Sequence, residues 1–375
     1  MLFYQTTVGD LMYRKLLIVI ALALAFASFA SAGDVNFRIG ANGSVEIQGL
    51  RFLDMDNYLR SDFFREQGMR CGAKSPLPGV AESSIAKSVA DCTATVTSIQ
   101  AEYWPLSVTY VMPLWFHVIY RSDGAGYVSD ERINAQIQVL NEDYGAMTGT
   151  MGADGYNTRI QFELAGITRT QNDAWFDDDD QDAYKPALNQ DPSRFINVYS
   201  TSASGYLGYA YFPQDSAGQW WDGIVLLHAA VGGRYNGFSF YDQGRTLVHE
   251  MGHYLGLYHT FEGYSTCINS YTGGDLIVDT PAEGEDHYGC TQTYTCSSPD
   301  PIHNYMDYTD DICMYQFSAE QANRTVCSLV NYRSATYRVV ADEPGDEPGD
   351  GPSGGEGGEG TPALGAILTH LLQSE

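Results

Sequence analysis

Positive charge is scarce in this chain. Its 375 residues include 20 Lys and Arg against 47 Asp and Glu, which gives a formal net charge of −27 at pH 7. Nucleic acids and anionic membranes attract proteins through clustered Lys and Arg side chains. The composition therefore excludes both as partners, and it is typical of a soluble, exported protein.

Long hydrophobic runs are also lacking, apart from one run at residues 16–26. A basic pair precedes this run, and a small-residue cleavage site follows it at residues 30–32. The run is too short to span a bilayer comfortably. We predict a secretory signal peptide over residues 1–32 and an extracellular location, with a membrane anchor as the alternative for this segment.

Cysteine is present in an odd number, so at least one thiol is unpaired or intermolecular. The seven cysteines are Cys71, Cys92, Cys267, Cys290, Cys296, Cys313 and Cys327. Export makes disulfides an expected feature. Spacing leaves three pairings open for the four cysteines between residues 267 and 313. Two hypotheses remain for Cys92, a bond to Cys327 or a bond to Cys71.

The apolar pattern along the middle of the chain predicts an α+β fold. Residues 111–120 are almost continuously apolar, as in a buried strand. Ser129 is placed to cap a helix that runs to about Tyr144 with one apolar face. Further strands are expected at residues 160–164, 195–199, 205–212 and 223–227, followed by a long helix.

Two segments are strongly acidic. Residues 177–180 are four consecutive Asp, for which we expect a solvated loop. Residues 341–360 consist almost wholly of Asp, Glu, Pro, Gly and Ser, a composition that cannot form a core. We predict an acidic disordered linker and C-terminal tail over residues 339–375.

The most informative motif begins at His249 and reads H-E-x-x-H-x-x-G-x-x-H. His249 and His253 lie one helical turn apart, so both imidazoles can bind one Zn²⁺. Gly256 allows the chain to leave the helix, and the turn returns His259 as a third ligand. Three protein ligands leave a position open for water, as in a catalytic zinc site. Glu250 is then placed as general base on the zinc-activated water.

Several downstream stretches accompany this motif in order. They lie at residues 259–263, 274–275, 278–283 and 304–313. Together with the histidine motif they resemble the pappalysin family of metzincin metalloproteases, including its compact bacterial and archaeal members, over roughly residues 105–335. The resemblance implies a metzincin-like zincin. Its upper subdomain would hold a twisted sheet and two long helices, and a zinc cleft would separate it from a smaller irregular lower subdomain.

The resemblance also implies roles for residues around the metal. Met306 would lie in the turn beneath the zinc, and Tyr308 would donate a hydrogen bond to the oxyanion. Asp311 would line the pocket for the residue after the cleaved bond and favour Arg, or less well Lys; the alternative for Asp311 is a solvated carboxylate. The edge strand at residues 205–212 would pair with a protein or peptide substrate in extended conformation.

A calcium site is a further implication of the resemblance. Hard oxygen ligands suit Ca²⁺, and the loop after the third histidine offers Glu262, Asp275, Thr280 and Glu283. The alternative is an acidic surface loop on an acidic protein.

The family pattern also implies the disulfides Cys267–Cys296 and Cys290–Cys313. Cys71 then lacks an obvious partner. Its surroundings, Arg-Cys-Gly, resemble the latency segment of several metzincins, in which a thiolate occupies the fourth zinc position.

The sequence as a whole predicts a secreted zinc endopeptidase made as a zymogen. We divide it into a propeptide at residues 33–104, with Cys71 as latency switch, and a catalytic domain at residues 105–338. A monomer is expected. The alternative hypothesis is a catalytically weak or inactive metzincin-fold protein that binds peptides without cleaving them.

Overall fold

A computed structural model describes residues 36–74, 92, 103–104, 108–233, 240–271 and 273–341 of the chain. The predicted signal peptide and residues 342–375 of the predicted tail lie outside the described residues. One compact unit begins at Phe37 and contains nearly all of them.

The regular elements alternate between strands and helices. The strands are β1 (Arg38–Ile39), β2 (Val45–Ile47), β3 (Leu50–Phe52), β4 (Val108–Tyr120), β5 (Ile160–Gln171), β6 (Ile196–Thr201), β7 (Gly208–Ala210), β8 (Ile224–Leu227) and β9 (Arg338–Ala341). The α-helices are α1 (Met55–Leu59), α2 (Asp62–Glu66), α3 (Asp130–Tyr144), α4 (Asp173–Phe176), α5 (Gln181–Leu188), α6 (Pro213–Ser216), α7 (Arg245–Tyr254) and α8 (Ala319–Tyr332).

The central sheet has six strands in the order β5-β4-β6-β8-β7, with β9 paired to the start of β4. The pairs β4–β5, β4–β6 and β6–β8 are parallel. Strand β4 is the apolar run predicted from the sequence, and its position between neighbours on both sides explains why it alternates so little. Strand β9 continues to Ala341, three residues past the boundary at which we placed the start of the tail, because residues 338–341 complete an antiparallel ladder with β4.

Strand β7 lies at the edge of this sheet and is antiparallel to β8. It falls within the segment predicted as an edge strand, and the helix α6 that begins at Pro213 closes it. Its outer edge is paired with the chain's own segment at residues 69–72, through Leu207 and Gly208.

Two helices cover the sheet and place the histidine motif. Helix α3 begins after Ser129, whose hydroxyl accepts a hydrogen bond from the Arg132 backbone N–H, as predicted. Helix α3 packs against α7, which carries the first two histidines. Buried apolar side chains from both helices and from β4 form one continuous core, so α7 has a rigid platform.

The region between α7 and α8 has little regular structure, as expected for a lower subdomain. Disulfides join Cys267 to Cys296 and Cys290 to Cys313, the two pairs implied by the family pattern. A third bond joins Cys92 to Cys327 on α8. The hypothesis of a Cys71–Cys92 bond is therefore wrong, and Cys71 is a buried free thiol.

Residues 37–74 form a small layer that covers one face of the molecule. Strands β1 to β3 make an antiparallel sheet, and α1 and α2 follow it. The Tyr58 hydroxyl donates a hydrogen bond to the Gly205 carbonyl at 2.8 Å, and the Phe64 ring lies 5.9 Å from that of Tyr241. The layer is thus docked against the loops that surround β7 and α7.

The acidic run at residues 177–180 differs from expectation. Asp178 is buried, and its carboxylate accepts hydrogen bonds from the hydroxyls of Tyr184 and Tyr209, both at 2.6 Å. Asp177 forms an ion pair with Arg38 at 2.6 Å. The prediction of a solvated loop is wrong at Asp178, because two tyrosine hydroxyls replace its water and tie the loop to β7.

Candidate metal centre and active site

The end of α7 brings the three motif histidines together. Gly256 has a φ of +87°, a left-handed conformation that favours glycine. The Leu257 N–H then donates to the Gly252 carbonyl at 2.9 Å, which closes the helix with a tight turn. This turn directs the chain back so that His259 faces His249 and His253.

The Nε2 atoms of the three histidines converge. They lie 3.1 Å apart between His249 and His253, 3.2 Å between His249 and His259, and 3.0 Å between His253 and His259. The Nδ1 atom of His249 is 2.7 Å from the Tyr305 carbonyl, and that of His253 is 2.8 Å from the Leu257 carbonyl. A carbonyl only accepts, so each Nδ1 carries the proton and each of these Nε2 atoms presents a lone pair.

This arrangement fits a zinc ion. Burial lowers the pKa of His253 to about 4 and that of His249 and His259 well below the usual value, so the imidazoles are neutral, the form that binds metal. Zn–N bonds of about 2.0–2.1 Å at tetrahedral angles place ligand nitrogens about 3.3 Å apart. The observed separations approach that value, and the lone pairs of His249 and His253 converge on the space that a cation would fill.

Cys71 completes the group. Its Sγ and the three histidine nitrogens all lie within 4.8 Å of one another, and all four side chains are buried. Sulfur and imidazole nitrogen are both good zinc ligands. The thiol also donates to Glu250 Oε2 at 3.5 Å, so it lies between the histidine cluster and the candidate general base.

Glu250 lies on α7 beside the cluster and is fully buried. Burial raises its pKa to about 8. Among the described residues, Oε1 has no hydrogen-bond partner and Oε2 contacts only the Cys71 thiol. The carboxylate is therefore free to bond to whatever replaces that thiol.

Met306 and Tyr308 approach the cluster from the loop before α8. Met306 is buried and packs directly beneath α7 at Gly252. The Tyr308 ring lies 4.9 Å from the His259 ring, and its hydroxyl donates to the Cys71 carbonyl at 3.4 Å. This hydroxyl therefore already points at a peptide carbonyl that lies next to the metal ligands.

Asp311 is buried, so the hypothesis that it is solvated is wrong. Its Oδ2 accepts hydrogen bonds from the backbone N–H groups of Gln243 and Arg245, at 3.0 and 3.1 Å, where α7 begins. Its Oδ1 pairs with the Arg70 guanidinium at 3.4 Å. Burial raises the pKa of Asp311, while Arg70 acts in the opposite direction.

The four candidate calcium residues lie in the loop region as two groups. Asp275 accepts from the Thr280 hydroxyl at 2.6 Å, and Glu262 lies 4.0 Å from His259 Nδ1. Glu283 is buried, and neither of its oxygens has a hydrogen-bond partner of good geometry in the described part of the chain, although the Thr260 hydroxyl lies close enough to act to lower its pKa. Burial, with the nearby charge of Asp300, raises the pKa of Glu283 to about 8.

Asp307 was missed by the sequence interpretation. It is buried, its Oδ2 has no partner among the described residues, and burial together with the charge of Glu283 raises its pKa well above the usual value. The position of Asp307 between Met306 and Tyr308 was the sequence signal that could have identified it as a site residue. Arg70 was missed in the same way, although it adjoins Cys71 in the latency-like segment.

The match to known proteins agrees with this geometry. The family described as Pregnancy-associated plasma protein-A matches residues 178–330. An extracellular metalloprotease of Colletotrichum graminicola is 36% identical over 275 residues, which are 71% of this chain and 91% of the relative. The chain belongs to the pappalysin family. It is an extracellular zinc-type metalloprotease with an α+β metzincin fold.

Two further matches support the assignment of this chain to the pappalysin family. An extracellular metalloprotease of Pyricularia oryzae is 37% identical over 277 residues, 71% of this chain and 90% of the relative. A solved structure of a promirolysin variant from Tannerella forsythia superposes with a TM-score of 0.53 at 29% identity, covering 62% of this chain and 86% of that one. Within the described residues of the pappalysin, no helix is long and apolar enough to cross a membrane.

The contact between Gly252 and Met306 generates a stability prediction. A Cβ at position 252 would lie 2.4 Å from Met306 Sδ. Gly252→Ala should therefore lower the free energy of unfolding by about 1–3 kcal/mol, although Ala normally stabilises a helix interior relative to Gly. Thermal melts followed by circular dichroism measure the change.

The double variant Gly252→Ala, Met306→Ala is the matched control. Because the second substitution removes the obstructing sulfur, the pair should be more stable than the sum of the single effects predicts. Strictly additive losses would contradict the steric explanation.

Proposed function

We propose that this pappalysin is an endopeptidase that is made as a zymogen and cleaves extended peptides before Arg, or less well before Lys. His249, His253 and His259 hold the zinc ion, and Glu250 is the general base. The convergence of three neutral imidazole nitrogens beside an otherwise unpartnered carboxylate is the observation that carries the proposal. We continue to predict that the protein is a monomer.

The chemistry divides between the metal and the side chains around it. Zinc, when bound, polarises the scissile carbonyl and lowers the pKa of a water molecule. Glu250 takes the proton from that water on a carboxylate oxygen and passes it to the leaving amine.

Tyr308 is proposed to stabilise the oxyanion. Its hydroxyl donates to the carbonyl of Cys71, the residue whose thiol faces the three histidines. A substrate carbonyl at this place would receive the same hydrogen bond, and the bond strengthens as negative charge develops on the oxygen.

Strand β7 is the proposed binding edge for the substrate backbone. The chain's own segment at residues 69–72 already pairs with this edge. Leu207 N–H donates to the Met69 carbonyl at 3.1 Å, and Gly72 N–H donates to the Gly208 carbonyl at 2.9 Å. An extended peptide can use the same donors and acceptors once the segment leaves.

The preference for a basic residue follows from Asp311. A buried carboxylate with one oxygen committed to backbone N–H groups has a second oxygen for an incoming cation. Arg70 currently fills this position. In a mature enzyme, the side chain after the cleaved bond would take the place of Arg70.

Latency follows from the same segment. Cys71 Sγ lies within 4.8 Å of the three histidine nitrogens, where it would take the fourth position around a bound zinc, and Arg70 pairs with Asp311. Both features block the cleft at once, so residues 33–104 are proposed as a propeptide with Cys71 as its switch.

The first test concerns Glu250. In the processed protein, Glu250→Ala should retain one zinc per chain, because the three histidines are intact, while peptide hydrolysis falls by about 10²–10⁴-fold. Zinc is measured by mass spectrometry and turnover by cleavage of a quenched fluorescent peptide. Glu285→Ala, on an exposed carboxylate, is the control. A zinc-loaded Glu250→Ala protein with full activity would overturn the assignment, and zinc without turnover in the wild type would favour a binding protein.

A second test concerns latency. Cys71→Ser in the full-length, unprocessed chain should raise hydrolysis of a short peptide on the order of tenfold or more, because a weaker ligand competes less well with water for zinc. Gel electrophoresis must confirm that the chain stays intact during the assay. Ala73→Ser introduces the same hydroxyl two residues away and should stay latent. If Cys71→Ser is as latent as the wild type, the switch hypothesis is wrong.

Calcium is proposed for the acidic loop because of its unpartnered oxygens. Glu283 has two such oxygens, and Asp307 has one. Two buried carboxyl groups with raised pKa values repel each other when both are ionised. A bound Ca²⁺ would remove that repulsion, and Asp275 with Thr280 and the partly exposed Glu262 would supply oxygens nearby.

Thermal melts of calcium-stripped protein test this proposal. Ca²⁺ at about 100 times its Kd should stabilise the fold by about 2.7 kcal/mol, or roughly 5–10 °C in Tm. Glu283→Gln should melt no earlier than the wild type without Ca²⁺, since one repelling charge is gone, and should lose most of the calcium response. Glu285→Gln should keep it. An unchanged Tm in wild-type protein would rule the site out.

A further inference from the structure

Arg70 is held by more than the Asp311 carboxylate. Its Nη1 donates to the Thr246 hydroxyl at 3.0 Å, and its Nη2 lies 3.4 Å from Asp311 Oδ1. Its Cζ lies over the Tyr241 ring, 4.9 Å from the centroid. Arg70, Thr246 and Asp311 are fully or almost fully buried, as is Tyr241. The guanidinium is thus hydrogen-bonded to two oxygens through its Nη atoms and lies over an aromatic ring, while its Nε has no hydrogen-bond partner among the described residues.

Each of these contacts depends on the shape of a guanidinium. Separate nitrogens reach Thr246 and Asp311 while the guanidinium carbon lies over the Tyr241 ring. A lysine ammonium is a compact, strongly hydrated charge without a flat face. It would reach Asp311 but could not also span the distance to the hydroxyl while stacking on the ring.

The pocket offers an ammonium little compensation. Asp311 Oδ2 already accepts two backbone hydrogen bonds, and the Met314 sulfur, 3.7 Å from Arg70 Nη2, is a weak acceptor. A lysine would therefore lose water molecules without replacing their hydrogen bonds, which is costly in a buried site.

The position of Tyr241 is fixed by the catalytic region itself. The Asp311 N–H donates to the carbonyl of Phe240 at 2.9 Å, so the residue before Tyr241 is hydrogen-bonded to the backbone of the residue that supplies the pocket carboxylate. The ring contacts Phe64 of the N-terminal layer as well. Departure of that layer removes the Phe64 contact but leaves the hydrogen bond between Asp311 and Phe240 in place.

We propose that Tyr241, assisted by the Thr246 hydroxyl, makes this pocket select Arg over Lys at the residue after the cleaved bond. Asp311 selects for positive charge, while Tyr241 and Thr246 distinguish a guanidinium from an ammonium. The proposal rests on the proposed function in one respect, since it takes Arg70 to occupy the pocket that the substrate side chain later fills.

The experiment measures kcat/KM of the processed enzyme on three peptides that differ only after the cleaved bond, where they carry Arg, Lys or Leu. Tyr241→Leu should lower the Arg-to-Lys ratio by about 3- to 30-fold, the range for losing a cation–π contact. Thr246→Val should lower it in the same direction. Tyr241→Phe is the matched control and should keep the ratio, because the ring face remains.

The Lys peptide separates a specificity effect from damage to the fold. Its kcat/KM should change little in Tyr241→Leu, because lysine gains little from the ring. If Arg remains preferred by the same ratio in Tyr241→Leu, the proposal is overturned. If the wild type cleaves the Leu peptide as well as the Arg peptide, the proposed Asp311 pocket itself is wrong, which is a different failure.

A second measurement needs no turnover. In the full-length chain, Arg70→Lys should lower the Tm, and this loss should be smaller in a Tyr241→Leu background, because the ring contact is already absent. Equal losses in both backgrounds would show that Tyr241 does not distinguish the two cations.

Discussion

Three imidazole lone pairs directed at one point impose the central constraint on this fold. The Nε2 atoms of His249, His253 and His259 lie 3.0–3.2 Å apart, a separation that suits three ligands around one zinc ion. Everything near them serves to hold that geometry. Backbone carbonyls fix two of the ring tautomers, the left-handed turn at Gly256 returns the third histidine, and Met306 supports α7 from below at Gly252.

The N-terminal layer packs over the histidine cluster and the groups around it. Within residues 69–72 the chain pairs with the edge strand β7, directs Cys71 at the histidine cluster and inserts Arg70 between Asp311 and Tyr241. Under the proposed function, each contact would take the place of one substrate contact: the pairing with a strand edge, the group that faces the metal and the basic side chain. The contacts of residues 69–72 therefore show which groups the cleft offers for binding.

Much of the fold was predictable because local patterns and tertiary structure agree. The apolar run that became β4, the Ser129 cap of α3, the edge strand and the disulfides Cys267–Cys296 and Cys290–Cys313 follow from sequence signals or from the family resemblance, whereas the sequence left the partner of Cys92 open. The acidic run at residues 177–180 shows where such reasoning ends. Composition indicates water as the partner of a carboxylate, but Asp178 bonds instead to Tyr184 and Tyr209, which lie on separate elements.

By itself, the sequence determined the metal-binding pattern, because ligands four residues apart on a helix and a glycine turn are local features. It also determined the acidic, exported character of the chain. Only the tertiary structure decided which distant groups share a pocket. Arg70, Tyr241 and Asp311 meet because the N-terminal layer packs against the segments before and after α7, and Glu283 lies close enough to raise the pKa of Asp307 in a region cross-linked by Cys290–Cys313. No local pattern encodes a contact of that kind.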